Sequence, residues 1–129
     1  MAENFVSVRY IVDDVDAALK FYTIHLGFAL EQDARPAFGS VTRGALRLLL
    51  SGPASSGAKP MPDGRRPVAG GWSRILLIVP DLPAEVARLR AAGLGFRNDI
   101  LAGVGGSQIL LDDPFGNPIE LFQPAHRKH

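Results

Sequence analysis

The chain repeats itself, and the repeat constrains its fold more than any other feature. Val12-Asp13-Asp14-Val15-Asp16-Ala17-Ala18 follows an apolar stretch. So does Val79-Pro80-Asp81-Leu82-Pro83-Ala84-Glu85, with Asp14 aligned on Asp81. Each copy continues as an amphipathic pattern and then reaches Leu-Gly-Phe, at 26–28 and 94–96. The second copy needs one extra residue before that tripeptide. Copies of about 60 residues are too long for solenoid repeats and too short for two independent domains. They read as two halves sharing one core.

Each half reads in the same order. Phe5 to Val12 alternates with strong β-formers, which predicts a strand. Asp14 is a helix N-cap, and Val15, Ala18, Leu19 and Tyr22 fall on one helical stripe before Gly27 stops it. Strand-like runs follow at 28–32, 37–42 and 45–50, with Arg43-Gly44 as a turn. The second half opens with a buried strand at 75–79. Asp81 then caps a helix whose Pro83 sits in the first turn, where a missing N–H is tolerated. Leu82, Val86 and Leu89 form its apolar stripe, and Gly93 ends it. Strand-like runs return at 95–97, 107–112 and 118–122, the last two separated by the turn Asp113-Pro114-Phe115-Gly116-Asn117. The order is βαβββ twice: a first module over 1–51, a Gly-, Pro- and Ser-rich linker over 52–71 expected to be unstructured, and a second module over 72–129.

Composition narrows the chemistry. The 129 residues include no Cys, which excludes disulfides, thiolate metal sites and a cysteine nucleophile. Fourteen basic residues against 13 acidic ones give no general pull toward nucleic acid or an acidic membrane. No apolar run approaches the ~20 residues of a membrane span. The start, Met1-Ala2-Glu3-Asn4, has neither the basic nor the apolar region of a signal peptide, so a single soluble cytoplasmic domain is expected. The polar tail from Pro124 to His129 is expected to fray. Gly103-Val104-Gly105-Gly106 lacks the strand–loop–helix setting and the Lys of a phosphate-binding loop. Lys59, Arg65 and Arg66 lie in an interrupted loop that reads as solvated surface.

Two βαβββ modules, the Asp-Pro-x-Gly-Asn turn at 113–117 and Ile119-Glu120-Leu121 together resemble the vicinal oxygen chelate superfamily. That superfamily includes glyoxalase I, extradiol dioxygenases and fosfomycin- and bleomycin-resistance proteins. The resemblance runs from Val6 to Pro124. It implies an α+β fold in which two tandem modules form curled mixed sheets around a shared cleft, and it implies a homodimer. Metal-dependent members hold a divalent ion partly through a His seven residues before the helix-capping Asp of a half. Those positions are Ser7 and Arg74 here, and the last-strand carboxylate is Glu120. A guanidinium has no lone pair to give and repels a cation. No metal and no cofactor are therefore expected. His25 reads as a helix C-terminal residue favoured by the dipole. His126 and His129 belong to the tail.

Strand alternation assigns faces. Val6, Val8, Tyr10 and Val12 suit the helix side of the first strand, which leaves Phe5, Ser7 and Arg9 facing the expected cleft. The same reasoning adds Arg47 and Leu49, then Trp72, Arg74 and Leu76, then Gln108, Leu110, Glu120 and Phe122, with Phe38 also a candidate. Aromatic walls with a few placed cations suit a planar aromatic ligand whose oxygen groups an Arg could fork onto. Each choice has a plainer reading: the aromatics as core, Arg9 and Arg47 as exposed strand residues, Arg74 with Glu120 as a structural ion pair. The expected function is metal-free binding of a small molecule, with antibiotic sequestration conferring resistance as the first choice and no catalytic residue. Two alternatives remain: a metal-dependent glyoxalase, dioxygenase or thiol-transferase, and a metal-free isomerase or lyase with Glu120 as base and Arg74 as electrophile.

Overall fold

The computed structural model describes residues 4–125, so His126 and His129 lie outside the described residues, as does most of the tail expected to fray. The chain divides into two compact units. One runs to Gly70 and takes in Pro114–Asn117; the other holds Gly71–Asp113 and continues from Pro118.

In the first unit β1 (Val6–Ile11) leads into α1 (Val15–His25), followed by β2 (Ala29–Ala34), β3 (Phe38–Arg43) and β4 (Leu46–Ser51). The helix starts where the sequence dictates. Asp14 has extended backbone, and its Oδ1 accepts from the Ala17 N–H at 3.1 Å. It stops at Gly27, whose φ of +73° lies in the left-handed region, and the Phe28 N–H reaches back to the Tyr22 carbonyl. Val15, Ala18, Leu19 and Tyr22 are buried. They meet Val41, Leu48 and Leu50 on one face of a mixed sheet of order β1-β4-β3-β2, in which β1 and β4 run parallel. On the edge strand β1 Tyr10 is buried, as is Val12 just after it, but Val6 of the expected helix-side set is 67% exposed.

The second unit repeats the plan with β5 (Ile75–Ile78), α2 (Leu82–Ala91), β6 (Leu101–Ala102), β7 (Gly106–Asp112) and β8 (Pro118–Pro124). Asp81 caps α2 through the Ala84 N–H at 3.1 Å. Leu82, Val86 and Leu89 are buried on a sheet of order β5-β8-β7-β6 with Ile75, Leu77, Ile109, Leu111, Ile119 and Leu121. Asp14→Ala and Asp81→Ala are each expected to lower stability by about 1 kcal/mol, read as the shift in urea midpoint at constant slope.

Three expectations need correction. The sheets are not curled around a cleft: each is an open sheet of four strands, and neither closes on itself. Closure requires the edge strands to pair and the strands to tilt and stagger together, and small barrels need about eight strands. Here one edge strand, β6, has only two residues. The run 95–97 forms no strand; Phe96 makes an isolated bridge to Leu111, and the pairing strand is Leu101–Ala102 instead. The linker has structure. A 3-10 turn spans Ser56–Ala58, and the Gly70 N–H donates to Asn117 Oδ1 at 3.0 Å. No helix among the described residues is long and apolar enough to cross a membrane.

Candidate functional site

Each sheet has one face under its helix and one face free of it, and the candidate residues lie on the helix-free faces. In the first unit the register sets Ser7 beside Arg47, Arg9 beside Leu49, and Leu49 beside Ser40. The Arg47 guanidinium sits 4.6 Å over the Phe5 ring and pairs with Glu31 at 2.9 Å. Ser40, itself buried, donates its Oγ–H to the same Glu31 at 2.7 Å. Glu31 was not among the sequence-predicted residues. The β2–β3 register shifts between Leu30 and Gln32, and that bulge disrupts the two-residue alternation from which faces were read. Arg9 donates from Nη1 to the buried Ser51 Oγ at 2.8 Å. Phe38 is half-buried opposite Ser51, Leu49 is half-buried, and Ser7 is exposed.

The Arg47 and Ser40 hydrogen bonds hold the Glu31 carboxyl below the usual carboxylate range. A depressed folded-state value means this contribution is present above the unfolded-state value and lost as pH falls through the folded one, on the acid side of the ordinary Glu range. Arg47→Met is expected to move Glu31 titration back up toward ordinary Glu, followed by carboxyl-carbon NMR.

In the second unit Glu120 is 6% exposed between its register partners Leu76 and Leu110. Arg74 aims two donors at one carboxylate oxygen: Nε at 3.0 Å and Nη2 at 2.9 Å from Oε1. Its third nitrogen, Nη1, donates to the Trp72 carbonyl at 3.2 Å. Trp72 is 69% exposed, and the Arg97 guanidinium lies 4.6 Å over its ring. Arg97 in turn binds Asp112 at 2.7 Å. Leu76 and Ile78 are exposed, while Gln108, Leu110 and Phe122 are half-buried. Sequence reasoning missed Arg97 and Asp112 in the site. Arg97 follows the Leu-Gly-Phe tripeptide in a segment read as a strand, and nothing local marks a contact with Trp72.

These groups do not suit a divalent ion. Glu120 already accepts from a cation, and among the described residues no buried side-chain oxygen or nitrogen lacks a hydrogen-bond partner. No group of three or more His, Asp or Glu side chains that could hold a metal occurs among the described residues. His25 lies in the last turn of α1 with its ring 5.8 Å from Phe21. What the helix-free faces offer is flat apolar surface, cations stacked on aromatic rings, and carboxylates neutralised by those cations.

Comparison with known proteins agrees with this architecture. No curated protein matches the chain. A superfamily protein from Sphaerobacter thermophilus DSM 20745 has 27% identity and a TM-score of 0.75, covering 92% of this chain and 95% of that one. TnmS3, an antibiotic-binding protein from Streptomyces sp. CB03234, has 26% identity and a TM-score of 0.72, with 94% and 95% covered. Lactoylglutathione lyase from Agrobacterium tumefaciens shares the fold at 21% identity and a TM-score of 0.74, with 92% of each chain covered. A lyase and an antibiotic binder among these neighbours show that the fold hosts both kinds of function. The model of the Glyoxalase/Bleomycin resistance protein/Dioxygenase superfamily matches residues 4–121, and the chain belongs to that superfamily.

Proposed function

We propose that this chain binds a planar aromatic small molecule on a helix-free sheet face and holds it without turnover, a role suited to sequestering an antibiotic. The observation that carries this reading is the Arg74 guanidinium seated on Glu120. A cation at that carboxylate competes electrostatically with any divalent ion. Its two donors also occupy Oε1, one of the two carboxylate oxygens that a proton-accepting Glu120 could use, which disfavours the isomerase or lyase alternative. The stacked pairs Arg47–Phe5 and Arg97–Trp72 support an aromatic ligand, because their ring faces and guanidinium planes are surfaces on which another flat π-system stacks. The antibiotic-binding neighbour supports the same choice, and a homodimer remains part of the proposal.

A thermal-shift screen of planar aromatic natural products and flavins tests it, since a ligand that binds the folded state raises the melting temperature. Expected are hits that mass spectrometry recovers chemically unchanged after prolonged incubation. Catalytic consumption of a hit would overturn the reading.

A further inference from the structure

We propose that Arg9 is an anion anchor, receiving the carboxylate or phenolate oxygens of a planar ligand on the helix-free face of the first unit. This rests on the binding function proposed above and names the charge of the group that the site selects.

Four guanidiniums belong to the candidate faces, two in each unit, and three are neutralised. Arg47 pairs with Glu31, Arg74 with Glu120 and Arg97 with Asp112. Arg9 differs: among the described residues its hydrogen-bond partner is the Ser51 hydroxyl, which orients a cation without cancelling its charge. The bond uses Nη1. The edge formed by Nε and Nη2, which matches the two oxygens of a carboxylate, is left for a ligand.

The guanidinium is also held in place. The turn Ser56–Ala58 packs on β1 and β4. A Cβ at Gly57 would lie 2.6 Å from Arg9 Nη1, 2.9 Å from Arg9 Cδ and 2.9 Å from Ser51 Oγ. Only glycine lets the turn come this close, so the turn covers one side of the Arg9 side chain while the residue as a whole stays exposed. Its neighbours Ile11 on β1 and Leu49 on β4 are half-buried apolar side chains that can support a flat ring. Ser51 and Gly57 are thus positioning residues, and Arg9 is the binding group. Holding a donor in the bound geometry beforehand reduces the ordering cost of binding.

The test uses two probes with the same ring system, 2-naphthoate and the neutral 2-naphthamide, titrated calorimetrically into the whole chain. Naphthoate is expected to bind roughly tenfold more tightly, as a charge-assisted fork should. Arg9→Gln is expected to remove that preference, lowering naphthoate affinity roughly tenfold more than naphthamide affinity. Gly57→Ala, which pushes a methyl group at the guanidinium, is expected to reduce the preference severalfold, naphthoate losing more affinity than naphthamide. A loss of packing alone would weaken both probes equally. If naphthamide binds as tightly as naphthoate, if Arg9→Gln keeps the preference, or if neither probe binds, the anchor is overturned. A natural product that still binds intact in the thermal-shift screen would leave the binding function standing in each of these cases. Ligand consumption would overturn that function instead.

Discussion

Replacing Arg74 by Met is expected to lower the unfolding free energy by about 3 kcal/mol, the low end of the range for stranding one member of a buried ion pair. The low end applies because the Arg74 side chain is 29% exposed while Glu120 is nearly covered. With the guanidinium gone, the Glu120 carboxylate between Leu76 and Leu110 loses two charge-assisted donors. Adding Glu120→Gln to Arg74→Met is expected to restore most of the loss, because the stranded charge disappears with it. The double-mutant cycle from urea denaturation therefore gives a strong coupling term of stabilising sign. Additive single effects would mean that the two groups share geometry without sharing energy.

Gly106→Ala is expected to have an effect at least as large, about 3 kcal/mol or more, through a different cause. Gly106 opens β7 with a φ of +148°. A Cβ there would meet the Gln123 carbonyl oxygen on the paired strand and would lie 2.9 Å from Phe122 Cζ. Backbone cannot step aside as a flexible side chain can, so the start of the β7–β8 pairing must open or shift. Thermal denaturation and amide exchange at Ser107 and Gln123 would follow this, with protection lost there first. An unchanged melting temperature would show that the strands separate at negligible cost.

Much of the fold was legible because local signals and packing agree. Asp14 and Asp81 cap the two helices, Gly27 and Gly93 lie just past them, and the stripes built on Leu19 and Val86 are buried as the period requires. The four strands of the first unit start and end within two residues of the alternating runs, since strong β-formers on a half-buried sheet leave little choice of phase. What failed was non-local. Curling and closure depend on how edge strands pair, which no local pattern encodes. Glu31 could not be assigned a face because the bulge between Leu30 and Gln32 breaks the alternation. The contact of Arg97 with Trp72 joins a residue after a helix to one in a loop 25 positions earlier. The pairing of Arg74 with Glu120 was visible, since strand phase put both on one face and opposite charge did the rest.

The proposed metal-free binding turns on the Arg74 guanidinium seated on Glu120, the carboxylate that the family resemblance implies would hold an ion in metal-dependent members. Elemental analysis of untagged protein, purified and then equilibrated with zinc, manganese, nickel and ferrous iron before desalting, tests this most directly. The expected result is far less than one ion per chain, with Glu120→Gln making no difference. One tightly held ion per chain that disappears in Glu120→Gln would contradict it.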